Sequence, residues 1–296
     1  MVLQSIVWDV NPWLVKFGDN FGIRWYGLLF ASAFLFGYII FNRFFIKQGL
    51  SVELLDKLTI YVAVGTVIGA RLGHCLFYDF HYYMQHPLEI IMIWKGGLAS
   101  HGGAIGILIA IWLYVRKYKL SYLWIMDRVA VATALGGFFI RTGNLMNSEI
   151  YGRPTTLPWG FEFIRDRSRV NFYDPNTGEL LGQHLPCHPT QIYEGLSYLL
   201  IFIILFWAIR KYGSRLKDGV IFAWFLILVF TARFLIEYVK FVQSDFEINL
   251  VNKVHLDMGQ ILSIPFVAFG IGLLIWSRKH GKHSHPVQPQ PSEKKK

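Results

Sequence analysis

Seven runs of this chain are apolar over nearly the length that crosses a bilayer core, about 20 residues of helix. They lie at about 24–46, 58–79, 97–115, 122–146, 190–210, 219–240 and 258–277. Hydrocarbon leaves no water for backbone N–H and C=O groups, so segments of this kind span as helices. The expected fold is an all-α polytopic membrane protein, with seven transmembrane helices and a small extracytoplasmic subdomain. A composition of 54% hydrophobic and 16% charged residues sets the chain apart from ordinary soluble domains. Many of its 10 Trp and 15 Tyr fall near the ends of the runs, as interfacial aromatic belts do.

The net charge of +10 does not point to nucleic acid, because the basic residues gather in short loops. Arg43, Lys47 and Lys57 separate the first two runs. Arg116, Lys117 and Lys119 follow the third, and Arg210, Lys211, Arg215 and Lys217 follow the fifth. Arg278, Lys279 and Lys282 follow the seventh. With seven spans all four clusters share one side, the cytoplasmic one. The N-terminus is then periplasmic and the C-terminus cytoplasmic. The opening "MVLQSIVWDVNPW" has no basic region and no small-residue cleavage site, so no removable signal peptide is expected.

The membrane domain is expected over 1–279, with 147–189 inserted as a periplasmic subdomain. Within it "TTLPWGFEF" and "RVNFYDP" read as short strands able to pair. The segment "PLEIIMIWKGG" is too short to span and should lie along the outer interface, with Trp94 at headgroup level. Residues 280–296 form a basic tail expected to be disordered. Cys75 and Cys187 have no disulfide pattern and read as independent thiols. His184, Cys187 and His188 match no strong metal spacing, and no metal is expected.

Polar residues inside the spans carry the functional signal. Alternating span direction assigns each one a depth. Tyr26, Arg71, His74, His101, Arg141, Asn144, Asn147, Glu194, Arg233 and Glu237 all fall in the outer part of the membrane. An arginine at the centre of a spanning helix costs roughly 2.5–3.5 kcal/mol, less toward the interface. Arg233 and Glu237 stand four apart on one helical face and can pair; Arg71 and His74 can bond backbone carbonyls. As a set, three guanidinium forks suit phosphate oxygens, and at this depth the phosphates are lipid headgroups. "GGLASHGGAIG" places His101 among glycines at a helix mouth. It reads equally as an anion-binding helix start and as a small-residue helix contact.

The chain resembles the prolipoprotein diacylglyceryl transferase family of the bacterial inner membrane. The resemblance rests on "RWYG" (24–27), "GGLASHGG" (96–103), "RTGNLMNSEIYG" (141–152), "HPTQIYE" (188–194) and "RFLIE" (233–237). Ile140 and Leu145 replace the Gly and Phe of the family pattern, both as apolar residues off the polar face. The resemblance implies transfer of diacylglyceryl from phosphatidylglycerol to the lipobox cysteine of a prolipoprotein signal peptide. The product is a thioether, and glycerol phosphate leaves. Neither cofactor nor metal is implied, and a monomer is expected.

On this reading Arg141 and Arg233 clamp phosphate, Asn144 orients it and Glu237 holds Arg233. Glu149 and Gly152 shape the mouth of the site. Arg71, Asn147, Glu194, Gly102 and Gly103 support it. The thiol's base is His101, or else Tyr26. The alternative function is an anion or lipid transporter, which intramembrane arginines also suit. No internal repeat is visible and the inner half lacks polar residues, both of which count against transport.

Overall fold

Helices account for most of the backbone, and side-chain caps and terminal charges mark the ends of several of them. In the computed structural model residues 5–18, 22–93, 96–166, 172–173, 180–182, 185–213, 215–241 and 256–283 are described. The long helices are α1 (Trp25–Lys47), α2 (Val52–Phe77), α4 (Ser100–Tyr118), α5 (Tyr122–Met146), α6 (Thr190–Tyr212), α7 (Val220–Glu237) and α8 (Met258–His280). A short α3 (Phe80–Gln85) and a 3-10 turn (Pro87–Ile91) lie between α2 and α4. Ser51 caps α2 by accepting from Leu54 N, which starts that helix several residues before its apolar run. Asp257 and Gln260 close a reciprocal capping box at α8. Lys47, Arg116, Lys117, Arg210, Lys211, Arg278 and Lys279 lie in last turns, where cations complement the helix dipole.

Among the described residues, six helices are long and apolar enough to cross a membrane: α1, α2, α5, α6, α7 and α8. The chain is therefore a mostly helical, multi-pass membrane protein. The 19-residue α4 is not one of the six. Ser100, His101 and three glycines dilute its apolar character at one end, and Arg116 and Lys117 at the other.

The expected strands form, but with other partners. The run 155–163 contributes β4 (Phe161–Phe163), which pairs in parallel with β1 (Ile6–Trp8). The run 169–175 contributes β5 (Phe172–Tyr173), which pairs with β6 (Leu180–Gly182). A hairpin joins β2 (Trp13–Lys16) to β3 (Gly22–Arg24). The expectations for Trp94 and for the tail beyond 283 fall outside the described residues. His280 ends α8, and Asp218 N donates to Lys282 O just after it.

The chain divides into two compact units, Met1–Gly37 with Val129–His283, and Tyr38–Arg128. In the second, α2 and α4 meet along glycines. A Cβ on Gly102 would come within 2.2 Å of Gly69 O, and one on Gly106 within 2.0 Å of Gly65 O. Such backbone-to-backbone contact needs glycine, the usual device where lipid supplies no hydrophobic drive for helix association. In the first, Phe230 of α7 stacks on Phe266 of α8 at 4.2 Å. Gly137 admits the ring of Tyr198 against α5. Leu145, Tyr151, Phe161, Phe163 and Cys187 make a small buried core next to the end of α5, and Trp8 Nε1 donates to Leu145 O over it.

Candidate active site

The site is built where α5 stops. Ser148 and Ile150 adopt left-handed backbone, with φ of 55° and 59°. For a β-branched isoleucine this conformation is an outlier, and each such residue costs on the order of 1–3 kcal/mol. The turn persists because its carbonyls are held from α6. Gln191 Nε2 donates to Glu149 O at 2.8 Å, and Thr190 Oγ1 to Ile150 O at 3.0 Å; both side chains are buried. The result folds Glu149 back over the end of its own helix. Its Oε1 accepts from Asn144 Nδ2 at 2.9 Å and from Asn147 Nδ2 at 3.1 Å. Asn144 Oδ1 then accepts from Arg141 Nη1 at 3.1 Å.

From Arg141 the network continues through charge. Arg141 Nε pairs with Glu194 Oε2, and Lys240 Nζ lies 2.8 Å from Glu194 Oε1. Lys240 Nζ is also 3.2 Å from Glu237 Oε2, whose distance to Arg233 Nε is 4.0 Å. The sequence Arg141, Glu194, Lys240, Glu237, Arg233 thus alternates in sign across three segments of chain. Glu194 is 1% exposed and Lys240 9%. The expected Arg233–Glu237 pair exists, at the outer limit of contact, and Lys240 is the nearer partner of Glu237. Tyr198 sits within electrostatic reach of Arg141, Glu194 and Arg233.

Close backbone approach sets the position of Lys240. Gly152 pairs with it in an antiparallel bridge, and a Cβ at 152 would come within 2.4 Å of Val239 O. Arg153 Nε donates to Lys240 O at 2.9 Å. Behind Glu237, Gly259 leaves space for the carboxylate, which a Cβ would meet at 2.4 Å. Tyr26 packs on Gly143 and lies within electrostatic reach of Glu149 and Arg141.

Buried polar groups are normally hydrogen-bonded. Among the described residues, five of the eight buried side-chain polar atoms without a hydrogen bond belong to this cluster: Asn147 Oδ1, Ser148 Oγ, Gln191 Oε1 and both Glu194 oxygens. Glu194 is therefore held by the proximity of two cations and not by well-directed hydrogen bonds. The arrangement sets three cations, Arg141, Lys240 and Arg233, against three carboxylates, Glu149, Glu194 and Glu237, which is the charge balance of the cluster without a ligand.

The remaining expected residues lie in the other unit. His101 is exposed on the first turn of α4. Arg71, 3% exposed, is saturated by backbone. Its Nε donates to Ile90 O at 2.8 Å, Nη1 to Gly96 O and Gly97 O, and Nη2 to Glu89 O, with Tyr83 against its face. His74 Nε2 is 3.2 Å from Asp79 Oδ2. Gly102 and Gly103 face α2, and Gly102 packs on its backbone. Cys75 and Cys187 are free and buried. No group of three His, Cys, Asp or Glu is placed to hold a metal among the described residues; His184 falls outside them. Sequence reading missed Lys240, Tyr198, Thr190 and Gln191.

Comparison with known proteins places this geometry in context. The profile of the prolipoprotein diacylglyceryl transferase family matches residues 12–276. A phosphatidylglycerol–prolipoprotein diacylglyceryl transferase of Porphyromonas gingivalis is 47% identical over 93% of this chain and 95% of its own length. One from Tolumonas auensis is 45% identical over 93% and 98%, and one from Bacteroides fragilis 40% over 94% and 97%.

Proposed function

The chain belongs to the prolipoprotein diacylglyceryl transferase family, and from that premise we propose how its charged cluster carries the reaction. It is a transferase, moving diacylglyceryl from phosphatidylglycerol to a prolipoprotein. The acceptor is the lipobox cysteine of the signal peptide. Its sulfur attacks the diacylglyceryl carbon that bears the phosphate; a C–S bond forms and the C–O bond breaks. Glycerol phosphate departs with the bonding electrons. The thiol's proton passes to a base and then to the solvent or the departing phosphate.

Two barriers follow from that balance. A thiol with pKa near 8.5 is only a few per cent thiolate at pH 7. The leaving group accumulates negative charge, which fixed cations in a dry site stabilise strongly. Arg141 and Arg233 meet the second need as the phosphate clamp, with Asn144 setting the Arg141 fork and Glu237 steadying Arg233. Glu149, Asn147 and Gly152 form the wall of the headgroup site. His101 is the base for the thiol, and Tyr26 is a headgroup ligand or the alternative base. The observation that supports this reading best is the sign-alternating run from Arg141 to Arg233, buried at Glu194 and Lys240 in its middle.

The site lies near the periplasmic surface of the bacterial inner membrane. In this reading α4 is the seventh span, the N-terminus is periplasmic, the C-terminus is cytoplasmic, and residues 147–189 form the outer subdomain. The protein acts as a monomer. Purified protein incubated with phosphatidylglycerol and a lipobox peptide tests the assignment. A mass gain of one diacylglyceryl group on the cysteine is expected, and an unchanged peptide overturns it.

A further inference from the structure

Arg141 is already occupied by an anion. Glu194 lies against its Nε, where a phosphate oxygen of a clamped headgroup would bind. Both cannot hold the same edge of one guanidinium. Yet Glu194 cannot simply lose its partner, because a buried carboxylate left without a counter-charge is strongly destabilising. The structure supplies a second cation for it. Lys240 Nζ is 2.8 Å from the other Glu194 oxygen and is itself buried. Neither Glu194 oxygen has a directed hydrogen bond to hold it in place.

We propose that Glu194 is a placeholder for the substrate phosphate, released from Arg141 to Lys240 when phosphatidylglycerol binds and returned when glycerol phosphate leaves. Glu194 and Lys240 are positioning residues that act through Arg141. The exchange keeps charge balanced at every stage. With the site empty, Glu194 neutralises Arg141. With it filled, phosphate does, while Lys240 stays near both Glu194 and Glu237. Lysine suits that task because its ammonium is a rotatable point charge that needs no planar alignment. Gly152 serves the same device, since only glycine lets the backbone of 152 pair with Lys240. The placeholder lowers the affinity of Arg141 for phosphate, which favours release of a product that bears more charge than the substrate.

This inference rests on the phosphate-clamp reading of Arg141, and kinetics separate the two. Glu194→Gln removes the competing charge but keeps the shape. It is expected to lower KM for phosphatidylglycerol about 3- to 10-fold, to strengthen inhibition by added glycerol phosphate by a similar factor and to lower kcat through slower release. Loss of a merely structural contact raises KM instead. A KM that is unchanged or higher in correctly inserted Glu194→Gln overturns the hand-off. If that variant does not fold, Lys240→Met and Lys240→Arg decide. Lys240→Met should raise KM about 10-fold, with Lys240→Arg recovering most of it; equal KM in Lys240→Met and the parent protein overturns the hand-off. Arg141→Ala in the same assay tests the clamp. Lost phosphatidylglycerol binding there, with an unchanged Glu194→Gln, sinks the placeholder alone. Normal binding in Arg141→Ala sinks the clamp and the placeholder together.

Discussion

Arg71 and Arg141 are two arginines within helices of a membrane protein, and they are held by opposite means. Arg71 donates to the carbonyls of Glu89, Ile90, Gly96 and Gly97, so its fork fixes the chain between α2 and α4. Arg141 is held by the side chains of Glu194 and Asn144. Backbone carbonyls cannot leave without unfolding a loop. Side chains can rotate, and a carboxylate can be replaced by another anion. On the proposed mechanism the chemistry of the partner separates a structural cation from one that can take substrate, and Arg71 is also the more buried of the two.

The contrast can be broken most sharply at Arg141. Arg141→Ala and Arg233→Ala should each lower kcat/KM by about 10²–10³ or more, as loss of a transition-state donor does, with normal insertion and Tm. Arg141→Lys should recover little of this, because a lysine lacks the fork. Arg71→Ala should behave the other way. It removes four hydrogen bonds from a charged donor to the backbone, so the fall is in yield and Tm while kcat per folded molecule is kept. Equal Tm in Arg71→Ala and the parent protein contradicts the structural role.

A smaller effect is expected at the helix contact. Gly106→Val should lower Tm by forcing α2 and α4 apart, at a cost of about 1–3 kcal/mol, without changing KM for lipid. The smallest change concerns Cys187, which is not part of the charged cluster. Burial pushes its thiol from 9.0 up to about 12. Between those values the unfolded chain releases the proton and the folded chain keeps it, so this group's stabilisation is present below pH 9 and lost as pH rises above it. Cys187→Ala should flatten that part of the alkaline fall in Tm, and Cys187 should resist maleimide at pH 7.5 until the protein unfolds.

The sequence was legible wherever a signal is local. Apolar runs located the helices, and polar residues inside them pointed to Arg141, Asn144, Glu194, Arg233 and Glu237. The i,i+4 spacing of Arg233 and Glu237 anticipated their pairing. Lys240 was missed because a lysine at the end of a span ordinarily reads as an interfacial anchor. What singles it out is contact with Glu194, 46 positions earlier in the chain. Thr190 and Gln191 were missed for a related reason, since they act on backbone carbonyls of the 149–150 turn. Strand-forming residues were visible in 155–163, but its pairing with residues 6–8 comes from chain distant in sequence. "GGAIG" left two readings open, and the contacts of Gly102 and Gly106 with α2 favour helix packing.

The central claim is that Arg141 binds the headgroup phosphate. Equilibrium titration of phosphatidylglycerol into purified parent protein and Arg141→Ala, matched for Tm, tests it directly. Saturable binding in the parent protein that falls at least about tenfold in the variant is the expected result, equivalent to about 1.4 kcal/mol. Equal affinity in both proteins contradicts it.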